Sequence, residues 1–482
     1  ATFLPPVLRK LTIEVPAEPS HAESSAAVQL AAIIERRYGG QRPEIVLVPR
    51  GDGAPPPPVP MALERVIVLK EGPDKDKGLS LIGEGMPALL ISGAGEDLAN
   101  QVRLLGDDSL NSALSPKAVA GLLSFERRYA EYVVTMGMLL RETQLDSEAI
   151  WPEVGIPLDQ TVWGRSVRGF QVYLIGSHTP LPPNLGGEVV VTVDGETIDR
   201  WAVDPSGVID HRVDIPDRLL DRSTTVSVKV RTNGNTGTCG ESPLMVLRID
   251  GDTQIEAMPA DPPVPPGFRS LPQTLLPRVQ FGLGPDVFVD TARAIQLVMA
   301  IQRTSAVPLP VFVTSLDEAV ASGKPAVLIA AQGWTNDTIM LPIRFEQGRV
   351  SVDVLDGGGN PTVMSLDTTL PIGSLQTVVD GQRSLLIATS NASPAQLDDL
   401  LRWATAERGR WSGLDGRAVI SVLGSEPVTV PNPSIELTPR RENFFSWSKW
   451  LVWAAAGVVA AAAAGALAIL VRVRRRRSAT SD

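Results

Sequence analysis

A shift of 267 residues lays one part of this chain over another. The run Ala27-Val-Gln-Leu-Ala-Ala-Ile-Ile-Glu-Arg36 meets Ala294-Ile-Gln-Leu-Val-Met-Ala-Ile-Gln-Arg303 without a gap. The same shift carries Pro43 onto Pro310, and Ile45 and Val46 onto Phe312 and Val313. Each copy continues with a second apolar run, 66–69 and 327–329, and a third, 89–91 and 385–387. A repeat of several elements in one order constrains the fold more than any single motif, because both copies must solve the same burial problem.

Local signals show what that solution is. Ser20 and Glu23 have capping-box spacing ahead of the first helix, which Gly39 and Gly40 can close. Ser315 and Glu318 repeat the capping-box spacing, and Ser393-Pro394 reads as a cap followed by Pro at the first helical position. Short, wholly apolar runs suit strands covered on both faces of a parallel sheet. Strands alternating with helices predict a doubly wound α/β domain at 8–108 and again at 272–428.

Between the copies the period changes to two. The runs 170–175, 189–193, 226–230 and 245–249 are strand-like, and Asp194-Gly195 is a two-residue hairpin signal. They predict an antiparallel β-sandwich at 151–258, reached through a connecting segment at 109–150 with a helix around 116–132. Five prolines between Pro259 and Pro266 make 259–271 a stiff linker. With one cysteine, Cys239, no disulfide forms within the chain, so packing must hold it together.

The end of the chain has a different chemistry. Residues 450–471 carry no charge, and about 20 apolar residues span a bilayer core as a helix. Arg472, Arg474, Arg475, Arg476 and Arg477 follow at once, and short basic segments stay cytoplasmic. The expected topology is a single span at 450–471 with a basic cytoplasmic tail at 472–482. The bulk of the chain then lies outside the cytoplasm, at the cell (inner) membrane. Phe444, Phe445, Trp447, Trp450 and Trp453 have the aromatic character of a headgroup-zone anchor, with 443–449 as an interfacial segment. The chain begins at Ala1 in a proline-rich stretch, so a processed or trimmed N-terminus is expected.

Chemistry is harder to find. Neither G-x-G-x-x-G nor G-x-x-x-x-G-K occurs. The loop after the second strand, Pro49-Arg-Gly-Asp-Gly-Ala-Pro-Pro-Pro-Pro58, lacks the backbone donors a phosphate needs. The glycines at 357–359 read as a turn. His21, His178 and His211 are isolated, no metal-ligand spacing is present, and no G-x-S-x-G elbow occurs. No catalytic residue, metal site or cofactor is therefore assigned. Net charge of −10 argues against nucleic-acid binding, which usually shows a basic face. Asp194, Asp199, Asp204, Asp210, Asp214 and Asp217 are frequent enough for glycosidase-type pairing, but turn-forming aspartate is routine beside Gly and Pro. Trp151, Trp163, Tyr173 and Trp201 cluster at the β region of a chain that is 5% aromatic. They are candidate carbohydrate contacts through ring stacking, against the alternative that they fill the core.

Several stretches together resemble a family. Trp151-Pro-Glu-Val-Gly-Ile156, Val191-Thr-Val-Asp-Gly195, Thr238-Cys239-Gly-Glu-Ser-Pro243 with Leu247-Arg-Ile-Asp250, Phe268-Arg-Ser-Leu-Pro-Gln273 and Trp411-Ser-Gly-Leu-Asp-Gly-Arg-Ala-Val419 follow one another as in the B subunit of bacterial cellulose synthase. The resemblance implies two flavodoxin-like α/β domains flanking a jelly-roll, carbohydrate-binding-like domain, then an interfacial helix and one span. It implies a non-enzymatic regulatory subunit of a cyclic di-GMP-regulated system, without flavin. Its expected partners are the membrane, a membrane-embedded processive glycosyltransferase using UDP-glucose, and the nascent β-glucan. The family usually has a first jelly roll before the first α/β domain; only a few residues precede that domain in this sequence, so either a shortened relative or a trimmed chain is expected. Two other readings stay open: a membrane-anchored carbohydrate-active hydrolase, and an adhesin or scaffold for another envelope polysaccharide.

Overall fold

The computed structural model describes residues 3–432 apart from 52, 108–116, 122–128, 182–185, 234–243, 347, 356–360, 368–369 and 408. It is a mixed α/β structure rich in sheet. The span expected at 450–471, the aromatics Phe444, Phe445, Trp447, Trp450 and Trp453, the arginines of 472–477 and Cys239 all lie outside the described residues. Among the described residues no helix is long and apolar enough to cross a membrane.

The first module contains β1 (Lys10–Pro16), α1 (His21–Tyr38), β2 (Glu44–Arg50), β3 (Glu64–Glu71), β4 (Gly78–Ile82), β5 (Ala88–Gly93), α2 (Glu96–Arg103) and β6 (Lys117–Ala118). Its sheet order is β2-β1-β3-β5-β4-β6, with β2, β1, β3 and β5 parallel and β4 antiparallel. The capping box forms as read: Ser20 Oγ accepts from Glu23 N at 3.1 Å, and Ser20 N donates to Glu23 Oε2 at 2.9 Å. The other Glu23 oxygen accepts from Glu71 N at 2.9 Å, so the cap also fixes the helix to β3.

The sandwich contains β7 (Val133–Thr135), α3 (Met136–Leu140), β8 (Gln144–Ala149), β9 (Glu153–Asp159), β10 (Val167–His178), β11 (Gly186–Val193), β12 (Glu196–Ala202), β13 (Val208–Asp214), β14 (Ser223–Asn233), β15 (Met245–Asp250) and β16 (Gln254–Pro259). One sheet runs β12-β11-β14-β9. The other runs β7-β16-β10-β15-β8, with β13 also paired to β10. Alternate residues of both sheets interleave, among them Ile156, Val191 and Val228 from one and Val172, Ile209 and Leu247 from the other, all fully buried. Asp194 and Gly195 both take positive φ, 50° and 75°, the geometry of a tight hairpin turn between β11 and β12. Residues 109–150 are not only a connection: β7 and β8 are strands of the sandwich, whose sheet begins at Val133 rather than Trp151. The helix expected around 116–132 is replaced at its start by β6, paired to β4 at the edge of the first sheet, and 122–128 lie outside the described residues.

The third module contains β17 (Val279–Leu283), α4 (Val287–Arg303), β18 (Val311–Ser315), α5 (Leu316–Ala321), β19 (Ala326–Ala330), β20 (Ile343–Glu346), β21 (Arg349–Leu355), β22 (Pro361–Asp367), β23 (Ile372–Asp380), β24 (Arg383–Ser390), α6 (Pro394–Ala406), β25 (Ala418–Val422) and β26 (Val428–Val430). Its main sheet is β18-β17-β19-β24-β23-β25-β26, parallel through β24 and antiparallel beyond. This is the order of the first module, so every run matched by the 267-residue shift is a strand or helix in the corresponding place. Two differences are physical. The Ser315–Glu318 capping box starts α5, after β18, where the first module crosses over through a proline-rich segment instead. A three-stranded antiparallel sheet, β20-β21-β22, is inserted between β19 and β23; the glycines at 357–359 fall outside the described residues between its last two strands.

The two copies meet through their matched helices. Thr291, which the shift places on Ser24, donates its hydroxyl to Ser24 Oγ at 2.9 Å in a buried contact. Arg303 grips Glu35 with two bonds at 2.7 and 3.1 Å. Helix α1 also covers the open edge of the other sheet. Gln29 donates to Leu309 O at 3.1 Å and accepts from Val311 N at 2.9 Å, while Ser25 Oγ accepts from Val313 N at 2.7 Å. Edge-strand amides that would otherwise be buried unpaired are thereby satisfied.

Candidate functional site

The four candidate aromatics separate into different environments. Trp163, at the end of a short 3-10 turn, is 1% exposed. Its ring meets Phe170 edge-on at 5.2 Å, and its Nε1 donates to Glu131 O at 3.1 Å. It cannot touch a polymer, and the expectation of a carbohydrate contact there is corrected. A side chain on a turn, outside the period-two alternation, gives no sequence sign of which way it faces.

Trp201 on β12 is half-buried and stacks on His211 of β13, with ring centres 3.9 Å apart and planes at 21°. His211 Nε2 lies 2.9 Å from Asp199 Oδ2. The Asp199–His211–Trp201 group joins the edge strand of one sheet to the edge strand of the other, and Trp201 packs against the sandwich core. One ring face is therefore already occupied by imidazole. Trp151, 55% exposed, stands between β8 and β9.

Tyr173 is the aromatic that stands on an open face. It is 45% exposed at the middle of β10, among strands whose alternate residues point outward. Register puts Arg212 of β13 on one side of it and Gln254 of β16 on the other. Two residues away, Gln171 lies between Asp214 and Glu256. Gln171 Oε1 accepts from Arg212 Nη2, which holds that guanidinium next to the tyrosine. A ring flanked by amide, guanidinium and carboxylate groups can stack on an apolar ring face while its neighbours bond to hydroxyls.

Several carboxylates of this region are tied into structure. Asp204 accepts from the Ser206 hydroxyl and backbone amide, which hold its carboxyl below the usual range. Asp217 accepts from Gly169 N at 2.7 Å and pairs with Arg168. Arg218 lowers the Glu196 carboxyl, and Lys229 with Ser227 does the same for Glu153. Asp159 is raised by burial, but it caps a turn by accepting from Thr161. Among the described residues no group of three or more His, Cys, Asp or Glu side chains is placed to hold a metal ion. Clefts of about 320 Å³ between β2 and α4, and about 400 Å³ between the sandwich and the third module, hold no aromatic ring in their linings.

No family model and no curated protein matches this chain. Among solved structures, the infectious bursal disease virus VP2 subviral particle is 12% identical over 30% of this chain, with a TM-score of 0.14; the chain spans 43% of its length. A two-domain esterase active on acetylated mannans is 9% identical, covering 53% of this chain and 92% of the esterase, with a TM-score of 0.13. The same esterase co-crystallised with mannopentaose gives 9% and 0.13 again.

Proposed function

We propose that this chain is a non-catalytic, membrane-anchored accessory subunit of a cellulose synthase-like glycosyltransferase complex. On this reading the α/β modules are flavodoxin-like scaffolds and the sandwich is a jelly-roll, carbohydrate-binding-like domain. The described residues stand outside the cytoplasm, and the chain guides a nascent β-glucan while its span holds the polymerising partner in its working state. The observation that carries the reading is the order of the family-like motifs along a duplicated plan that ends in an uncharged 22-residue stretch and five arginines. The span is rich in alanine and glycine, and small residues let two helices approach closely where lipid provides no hydrophobic drive.

The test is polymer synthesis from UDP-glucose in membranes holding the presumed synthase. A form reduced to residues 435–482 should retain substantial synthesis, and a full chain carrying an unrelated leucine-rich span should lose most of it. Equal activity from the swapped-span form would reduce the helix to a tether.

The glucan contact belongs on the Tyr173 face. Tyr173→Ala should reduce retention of the chain on an amorphous cellulose matrix by about tenfold, the loss of one stacking contact of about 1–1.5 kcal/mol. Its unfolding should shift by no more than about 0.5 kcal/mol, as for an ordinary surface substitution. Unchanged retention moves the contact off this sheet.

A further inference from the structure

The crossover from β2 to β3 has an accessibility pattern with a period of three. Ala54, Pro57 and Pro60 are half-buried, whereas Pro55, Pro56, Pro58, Val59 and Met61 are exposed. An α-helix repeats every 3.6 residues and a strand every two; the polyproline II helix repeats every three, and unlike a 3-10 helix it needs no backbone N–H donors, which a proline run lacks. Five of the eight residues are proline, which fixes φ near the value that helix needs, and each proline pushes the residue before it into the same region. The ridge Ala54–Pro57–Pro60 therefore rests on the first module and the other two ridges face solvent. Pro56 runs beside Gly83, where an added Cβ would come within 3.6 Å of it. That leaves Pro55, Pro58 and Met61 as the most open ridge, and it has P-x-x-P spacing.

The segment is held in place from its start. Arg50 donates to Ala54 O at 2.8 Å and to Pro55 O at 2.5 Å. Arg50 is in turn paired with Glu14 of β1, which is only 9% exposed. An extended proline helix is already ordered before a partner arrives, so binding to it costs little conformational entropy. In the third module the crossover after β18 begins with α5, so the proline segment is not a requirement of the fold.

We infer that residues 54–61 are a docking element for a protein domain with a shallow groove of parallel aromatic rings. Such rings slot between Pro55, Pro58 and Met61 along this ridge, and a ring N–H or hydroxyl reaches carbonyls that no proline amide competes for. The exposed Val59 and Met61, at 66% and 69%, extend the apolar contact beyond the prolines.

The test places a photoreactive benzophenone side chain at Val59 of the full chain in its native membranes. Expected is a discrete adduct with one protein, the cross-linked peptide belonging to an aromatic-lined groove. Pro55→Ala with Pro58→Ala should reduce the adduct at least tenfold, and Met61→Arg, which leaves the proline backbone intact, should do the same. Pro73→Ala, at an exposed proline outside the segment, should leave it unchanged. No adduct, an adduct that survives both ridge variants, or one on a surface without aromatic residues overturns the proposal.

Discussion

Trp163→Ala will cost the sandwich about 3–5 kcal/mol, the range for deleting a buried large aromatic. Removing the indole leaves a cavity beside Phe170 and takes the Trp163 donor away from Glu131 O. Relaxation into the space is hindered next door. Gly164 takes φ of 65°, and even a Cβ there would come within 2.5 Å of the Tyr129 ring. Trp163→Phe separates the two contributions. It keeps most of the packing but not the donor, and should cost about 1–3 kcal/mol for the unpaired carbonyl and the residual cavity. Equilibrium denaturant unfolding followed by far-ultraviolet dichroism reads both. A loss under about 1 kcal/mol for the alanine variant would contradict the placement of this ring in the core. Against that background, Tyr173→Ala is the informative partner, because the same measurement should hardly move.

The contrast between these two residues explains what could be read from the sequence. Tyr173 lies in a strand, between Val172 and Leu174, where strict alternation assigns it outward. Trp163 lies on a turn, where no period applies, and its burial follows from the chain returning at Glu131 and Phe170. The duplicated module was legible because its parallel strands are buried on both faces and are therefore uninterrupted apolar runs, as in 66–69 and 327–329. The first strands of the sandwich were not, because β8, Gln-Leu-Asp-Ser-Glu-Ala, is half-exposed at a sheet edge and carries little apolar signal. The inserted sheet β20-β21-β22 was hidden for a related reason: inside an α/β pattern its alternation reads as loop. Long-range pairs were invisible altogether. Nothing near Trp201 in sequence points to His211, and nothing near Gln29 points to the strand edge it covers about 280 residues away.

Arg293→Met will cost about 3–5 kcal/mol at neutral pH, because it leaves a buried carboxylate without its cation. Arg293 is 4% exposed and bridges two helices: Nη1 meets Asp290 Oδ1 at 2.6 Å, and Nε and Nη2 meet Asp398 at 2.7 and 3.1 Å. Asp398, at 36% exposed, can return to water when the arginine is lost. Asp290, at 2%, cannot. Burial already raises the Asp290 carboxyl above its ordinary value, against the pull of Arg293. A raised carboxyl binds more protons folded than unfolded between its ordinary and folded values, so stability falls as pH rises through that window. Removing the guanidinium extends the window upward. The deficit of the variant relative to the parent should therefore be small at pH values below the ordinary carboxylate range, where Asp290 is protonated in both states. It should grow as pH rises and level off only once the folded carboxyl of the variant has ionised. Asp290→Asn together with Arg293→Met removes the charge along with its partner and should recover at least half of the loss at neutral pH, with a flatter pH profile. Unfolding midpoints of the three chains across about pH 3 to 8 decide it. A pH-independent deficit, or a double variant no better than Arg293→Met alone, would assign the cost to packing between α4 and α6 instead of to the unpaired charge.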